Sequence, residues 1–535
     1  MTRRRTGPDP PMRWWGWGPE AAEASIPDGP LSFLQEQLGA LPPPKDHAPL
    51  EQVRIPSPAL TAAARRRLQS ALSAPLRDDP LARISHAAGK SYPDLVRMRA
   101  GEPMGAPDAV AYPRSAAEVA EVLAACVRAG VAVVPFGGGT SVVGGVEPLR
   151  GPFRSVVSLD LSLMDRLLEH DRGALTARLE PGISGPAAEA ALNPHGLTIG
   201  HFPQSFEYAT VGGWVATRSA GQASTGYGRV DENVLGLQLS APAGTLGAKP
   251  LPASAAGPDL RQLVIGSEGA LGVITEVTVS VHPAPEDLRY EGWRFDSFAA
   301  GREALRLLEQ AGHAPDVARL SDEEETRLGR AMSSRSQGEG GGCAAVFGWE
   351  GSAADVSLRR RESRRLLRAC PARSAGERAG RKWLQGRYAA PYLRDLLMRH
   401  GVMVETLETA ATWDRIDAVY EAVRTALHGA LSERGGKALV MCHVSHLYRS
   451  GASLYFTFLA AQEQGREIVQ WHRAKSAACD ALVASGGTLT HHHAVGADHA
   501  PWMEAEVGHC GVQVLRAAKD CLDPAGIMNP GKLLP

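Results

Sequence analysis

What this chain has little of closes off several classes of protein at once. No window approaches about 18 uninterrupted apolar residues, so no membrane-spanning helix is expected. There is no excess charge: 57 basic residues face 58 acidic ones, a net charge of −1, which leaves no electrostatic footprint for nucleic acid or an anionic membrane. Cysteines number seven, an odd count, scattered and never spaced C-x-x-C. That argues against a disulfide framework or a zinc ribbon and for a reducing, cytoplasmic compartment. The arginines after Met1 are followed by no apolar stretch, so they read as a solvated tail and not as a secretory signal. Aromatics are sparse at 6%, yet 44% of the 535 residues are hydrophobic, too many for a disordered chain and enough for two to four domains. Glycine is the abundance: 58 residues, near 11%, against a usual value of about 7%.

No internal repeat is evident, and the fold class reads as α+β. Residues 1–105 read as a helical extension, with helices around Leu31–Leu41 and Ala59–Leu72 between proline-rich pieces. Ser115 and Glu118 form a capping box ahead of Val119, Val122, Leu123, Cys126 and Val127, one apolar helical face closed by Gly130. A buried strand, Val131–Phe136, follows. Residues 106–285 continue with short β-branched runs, at Ser155–Leu159, Thr210–Val215, Leu263–Ile265 and Val273–Val281, interrupted by glycine clusters. From 286 to 465 helical patterns (Phe298–Leu308, Val356–Arg368, Tyr388–Arg399, Trp413–Ala430) alternate with strands (Ala344–Gly348, Ala438–His443, Ser453–Phe458). Ser333–Gly342 reads as a mobile loop. The segment 466–535 carries a helix, Glu467–Ala484, then a Gly-Gly turn and a His-rich strand end.

The glycines concentrate in three blocks: Pro135-Phe-Gly-Gly-Gly-Thr-Ser-Val-Val-Gly-Gly145, Tyr208-Ala-Thr-Val-Gly-Gly-Trp-Val-Ala-Thr-Arg-Ser-Ala-Gly221 and Gly266-Ser-Glu-Gly-Ala-Leu-Gly-Val-Ile274. Consecutive glycines after a strand let backbone N–H groups converge on an anion; any one block alone reads equally well as tight turns or bulges. The first block is not a Rossmann fingerprint, since its helix precedes the strand, and no Gly-Lys-Ser/Thr follows to make a P-loop.

Taken together, in this order, the blocks resemble the FAD-binding domain of the vanillyl-alcohol-oxidase/p-cresol-methylhydroxylase type of flavoprotein. Tyr227-Gly-Arg-Val-Asp-Glu-Asn-Val-Leu-Gly and Leu522-Asp-Pro-Ala-Gly-Ile-Met-Asn-Pro-Gly-Lys532 resemble that family's connecting segment and its C-terminal return to the flavin. The resemblance implies an FAD-binding domain over 106–285, a substrate or cap domain over 286–465 and a C-terminal segment returning to the flavin site. The cofactor would be held by Pro135, Phe136, Gly137, Gly138, Gly139, Thr140 and Ser141; by Gln204, Ser205, Phe206, Glu207, Tyr208, Ala209 and Thr210; by Thr217, Arg218, Ser219 and Ala220; and by Glu268, Gly269, Ala270, Leu271, Gly272, Val273 and Ile274. No histidine stands in the first loop to attach a flavin, so the FAD is expected to be non-covalent.

Within that superfamily, Trp214 stands where hydroxy-acid dehydrogenases carry Asn, and Thr488-Leu-Thr-His491-His492-His493 replaces their Gly-Glu-His-Gly. Both departures resemble the alkyldihydroxyacetonephosphate synthase family, as do Arg13-Trp-Trp-Gly-Trp-Gly18, His86-Ala-Ala-Gly-Lys-Ser91, Pro391-Tyr-Leu-Arg394, Glu405-Thr-Leu-Glu-Thr-Ala-Ala-Thr-Trp413 and Ser453-Leu-Tyr455-Phe-Thr-Phe458, so that residues 12–535 are covered. The resemblance implies exchange of the acyl group of acyl-dihydroxyacetone phosphate for a fatty alcohol, in ether lipid synthesis, with the flavin holding the intermediate covalently and no net redox change. It implies Tyr455 as the acid/base at C1, His491, His492 and His493 ordering it near the flavin, and Arg394 supporting the site.

Tyr455 shares a strand face with Ser453 and Thr457, and its phenol needs favourable neighbours to act as a base. Three successive histidines on an extended chain alternate in direction, so no metal is expected and His491 and His493 share a face. Where the family has a phosphate-binding Arg, this chain has His443; Arg449, Arg387 or Arg394 would compensate, or the substrate is not a phosphate ester. Leu393, Leu396 and Leu397 read as tunnel lining or as plain core. The alternative function is an FAD-linked oxidoreductase of a 2-hydroxy acid or alcohol; a flavin-holding protein without turnover is a third reading. A lipid substrate, peripheral membrane contact and a homodimer complete the expectations.

Overall fold

The computed structural model describes residues 12–20, 26, 28–332 and 341–535. All but the last two residues of the glycine- and serine-rich stretch 333–342 lie outside them.

The first layer starts from the capped helix. Ala116–Ala129 opens with the Ser115 hydroxyl accepting from the Glu118 amide and closes on Gly130 at φ 60°. Glu118 reaches back to the Arg114 amide at 2.9 Å, one residue before the cap. The apolar face of this helix packs on a three-stranded parallel sheet ordered Ala109–Ala111, Ser155–Asp160, Val131–Phe136. The C-terminal tail returns to this sheet: Val133 N–H donates to Ile527 O, and Asn529 N–H donates to Val133 O.

A five-stranded antiparallel sheet follows, ordered Leu167–Asp171, Thr176–Leu179, Val273–Ser280, Val234–Ala241, Gly244–Ala248. Two expected strands of this region are helical. Thr210–Val215 becomes a helix, Val211–Ala216, because the Thr210 hydroxyl caps it by accepting from Gly213 N–H, and the paired glycines allow close approach to Pro181. Leu263–Ile265 is the end of the helix Leu260–Val264 capped by Asp259.

The third layer is a seven-stranded sheet, antiparallel throughout, ordered Ala372–Gly376, Asp287–Phe295, Cys343–Gly351, Val317–Ser321, Ala438–Tyr448, Gly451–Ala461, Val402–Thr412. Strand alternation sends Leu454, Phe456 and Phe458 into a core shared with Phe347, Trp349 and Trp471. Ser453, Tyr455 and Thr457 therefore take the opposite face. Burying each large side chain of that core contributes roughly 1.5–3 kcal/mol, which makes the sheet a firm platform for whatever its other face carries. Leu393, Leu396 and Leu397 pack with Leu34, Leu38 and Val402 and are core, not tunnel lining. Asp395 on the same helix fixes the N-terminal tryptophan motif, accepting from Arg13 Nη2 at 2.9 Å and from Trp17 N–H at 2.5 Å. Lys90 donates to the carbonyls of Arg13 and Trp14.

Candidate functional site

Register across the three edge strands builds the site. Glu408 lies directly opposite Tyr455 across one pair, and His443 opposite Tyr455 across the other. Glu408 is 2% exposed, yet its carboxylate is fully answered: it accepts from the amides of His491 (2.6 Å), His492 (3.0 Å) and His493 (2.7 Å) and from the Thr490 hydroxyl (2.6 Å). Burial alone would raise this carboxyl; the donors wrapped around it, the Thr490 hydroxyl among them, pull it well below its ordinary value. One buried anion thus pins the histidine loop over the tyrosine.

The loop is not the extended strand end expected for it. It is irregular, with Ala494 at φ 74°, and the three imidazoles take a different arrangement. His492 stacks with the Tyr455 ring at 5.9 Å and His493 meets it edge-on at 5.4 Å. His491 turns away, its Nε2 2.6 Å from the Tyr448 oxygen. It is therefore His492 and His493 that share a partner, not His491 and His493. Burial holds all three imidazoles neutral at pH 7: His492 is pushed down to about 3 and His493 to about 4, Glu408 opposing the shift in each, and His491 falls well below its ordinary value.

Tyr455 itself is pushed up to about 12 by burial, against a side-chain hydrogen bond with Thr406 and the nearby charge of Arg394. The phenol therefore keeps its proton at neutral pH, beside imidazoles that carry no charge. Arg394 is near enough for its charge to act on both Tyr455 and His493, and its Nε is buried without a partner.

His443 stacks on the Tyr455 ring as well, 4.8 Å between ring centroids at 19°. A guanidinium does stand here, supplied by the adjacent strand: Arg319 Nη1 lies 2.9 Å from His443 Nε2. Glu325 accepts from Arg319 Nη2 at 2.8 Å and from His443 Nδ1 at 3.0 Å. Of the arginines offered as compensation, Arg387 lies over the Phe202 and Tyr388 rings and Arg449 is exposed. The strand pairing Ser321↔His443 brings Arg319 in. No sequence spacing signals this, whereas Glu408 sat inside the quoted Glu405–Trp413 motif without a role. His201, buried beside Trp214 at 4.7 Å between ring centroids with Nδ1 unpartnered, was also missed.

The glycine blocks pass a test for the cofactor. A Cβ at Gly138 would sit 2.0 Å from the Tyr208 carbonyl oxygen and one at Gly137 2.4 Å from Thr210 Oγ1, so the first and second blocks touch backbone to backbone. Gly139 has φ 65°, and the amides of Gly138, Gly139 and Thr140 donate to no protein group among the described residues. Such a row of free N–H groups is a nest for a phosphate. Arg218 and Glu268, in the second and third blocks, hold positive φ (53° and 52°), and Glu268 accepts from the amides of Val495 and Gly496, tying the third block to the loop after the histidines. Ser267 Oγ, Asn529 Oδ1 and Trp214 Nε1 are buried without a hydrogen-bond partner around these loops, and Lys532 Nζ is buried 4.0 Å from Glu147 Oε2. Free amides, a glycine floor and orphaned donors are what a dinucleotide pyrophosphate requires.

A cleft of about 400 Å³ lies where the second layer meets the seven-stranded sheet, lined by Phe202, Phe206, Tyr227, Leu384, Arg387 and Glu350, among others. Among the described residues, no helix is long and apolar enough to cross a membrane.

Comparison with known proteins agrees with this arrangement. Residues 107–247 match the family described as FAD binding domain, and residues 284–533 match the family of FAD linked oxidases, C-terminal domain. The chain is similar to p-cresol methylhydroxylase in fold, with a TM-score of 0.65 at 13% identity over 90% of this chain and 98% of that one. It is similar to a solved alkyldihydroxyacetonephosphate synthase, with a TM-score of 0.84 at 29% identity over 98% of this chain and 99% of the other. It is also 35% identical to the alkyldihydroxyacetonephosphate synthase of Trypanosoma brucei brucei, over 90% of this chain and 82% of that protein. With the flavin cradle, the tyrosine and the histidine loop in place, the chain belongs to the alkyldihydroxyacetonephosphate synthase family and is an FAD-dependent enzyme of the p-cresol-methylhydroxylase fold.

Proposed function

We propose that this enzyme exchanges the acyl group of acyl-dihydroxyacetone phosphate for a fatty alcohol. The observation that carries the reading is the enclosure of Tyr455 by His443, His492 and His493 over a buried Glu408, next to Arg319. Non-covalent FAD, held by the three glycine blocks, supplies an electrophilic centre for covalent catalysis. Tyr455 keeps a proton to donate at the carbon that exchanges its oxygen substituent, and His493 receives one. Arg319 and His443 take the phosphate end, a paired-cation substitute for a single arginine on the histidine strand. The cleft lined by Phe202, Phe206 and Leu384 offers apolar wall to the alkyl chain. The seven cysteines, all free, fit a reducing compartment, which together with a lipid substrate favours cytoplasmic work at a membrane face.

Purified FAD-loaded protein tests the reading when supplied with an acyl-dihydroxyacetone phosphate and a fatty alcohol. The expected result is release of fatty acid matched by an ether-linked product. Bleaching of the flavin by D-2-hydroxy acids, with no exchange, would establish the oxidoreductase reading instead. Arg319→Lys is expected to raise KM for the phosphate ester about tenfold to a hundredfold while FAD content stays unchanged.

A further inference from the structure

The histidine loop does a second thing: it brings two imidazoles to a third that comes from another part of the chain. His446, on the strand Ala438–Tyr448, meets His491 at 4.9 Å and His492 at 5.3 Å between ring centroids. One ligand nitrogen from each of the three lies within 4.8 Å of the others, and no thiol belongs to the group. His491 Nδ1 is 2.9 Å from His492 Nδ1. Two imidazole nitrogens that close must share something, either a proton or a cation. In a tetrahedral site with bonds near 2.0–2.1 Å, ligand nitrogens stand about 3.3 Å apart, so this pair is already at coordination distance.

The surroundings are those of a ligand set. His446 Nε2 donates to the Gly221 carbonyl at 3.0 Å, which orients the ring and leaves Nδ1 as its lone-pair nitrogen beside the Ser445 and Ser453 hydroxyls. His491 is oriented through its other nitrogen by Tyr448. Glu408 Oε2 stands 3.4 Å from His492 Nδ1 and 4.0 Å from His491 Nδ1, a buried carboxylate that offsets a cation's charge. The nearest guanidinium, Arg229, is paired with Asp231 at 2.9 Å. Outer groups of this kind fix ring orientation and raise ligand basicity.

We propose that His446, His491 and His492 form a binding site for a divalent transition metal that favours imidazole, Zn²⁺ above all, with the fourth position left for an oxygen ligand. The absence of metal expected from the sequence rested on an extended chain; the turn and the third histidine remove that premise.

The test uses the FAD-loaded full chain, stripped with a chelator and dialysed against Zn²⁺ or Co²⁺. The expected result is one metal per chain by elemental analysis, with Co²⁺ giving the visible d–d absorption of a low-coordinate site without a thiolate band. His446→Asn and His492→Asn are each expected to weaken metal binding about tenfold or more, whereas His509→Asn, at an exposed site beside Glu504, leaves it unchanged. X-ray absorption of the wild-type zinc protein, which needs no variant, is expected to show three imidazole nitrogens. Absence of uptake, sulfur scatterers at the metal, or binding that survives both substitutions in folded, flavin-containing protein would overturn the proposal.

Discussion

Glu408 is the residue on which the site turns. Its carboxylate receives three consecutive backbone amides and a hydroxyl, so a neutral replacement leaves buried donors short of an acceptor. Glu408→Gln is expected to destabilise the fold by roughly 1–3 kcal/mol per unsatisfied donor, read as a fall in Tm, and to depress exchange further than flavin content. Tyr455→Phe keeps the ring contacts with His443 and His492 and removes only the hydroxyl. Exchange should drop about a hundredfold to ten-thousandfold with the flavin spectrum intact; full activity would take Tyr455 out of the chemistry.

A third residue-scale prediction concerns pH. Burial and the neighbouring Asp94 push Glu147 up to about 8 from its ordinary 4.5. The folded protein therefore holds this proton over a range in which the unfolded chain has released it, and stability falls as pH rises between those values. Glu147→Gln removes that loss. Relative to wild type it should gain on the order of 2 kcal/mol between about pH 5 and pH 8, measured by denaturant unfolding at each pH.

At the scale of elements, what was legible in the sequence was what is local. The helix Ala116–Ala129 carries its cap, face and glycine stop within sixteen residues, and the structure keeps all three. The run Thr210–Val215 misled because β-branched residues suggest a strand, while one hydroxyl bonded to Gly213 decides for a helix. The histidine loop misled for a non-local reason: its path is set by a carboxylate more than eighty residues earlier in the chain. Arg319 was invisible for the same reason, since only strand pairing brings it to His443. The glycine blocks were legible as places of close backbone approach, and at Gly137 and Gly138 the structure makes that approach. Gly138→Ala would drive a methyl into the Tyr208 carbonyl and is expected to abolish FAD binding, with loss of the visible flavin spectrum. Gly329→Ala, in a helix with nothing within 4 Å, is the control and should stabilise by about 0.4–1 kcal/mol.

For the whole molecule, the returning C-terminal tail ties the layers together. It pairs with Val133 in the first sheet, and Asn529 Nδ2 donates to the carbonyls of Gly145 and Glu268 in the first and third glycine blocks. Cofactor binding should therefore tie the layers together: FAD at a hundred times its Kd should stabilise the folded chain by about 2.7 kcal/mol, read as a rise in Tm over the stripped protein. The balanced charge that set aside nucleic acid is compatible with this arrangement, because the charges that matter are paired locally, as Arg319 is with Glu325.

The central claim is that the buried tyrosine, histidine loop and flavin cradle perform an exchange of oxygen substituents without net oxidation. The most direct measurement follows an oxygen atom. Fatty alcohol labelled with ¹⁸O is incubated anaerobically with the FAD-loaded enzyme and an acyl-dihydroxyacetone phosphate, and the products are weighed by mass spectrometry. The label should be retained in the ether product, one unlabelled fatty acid should be released per ether formed, and the flavin should end oxidised. Fatty acid release without ether formation, or a flavin left reduced in proportion to product, would contradict the account.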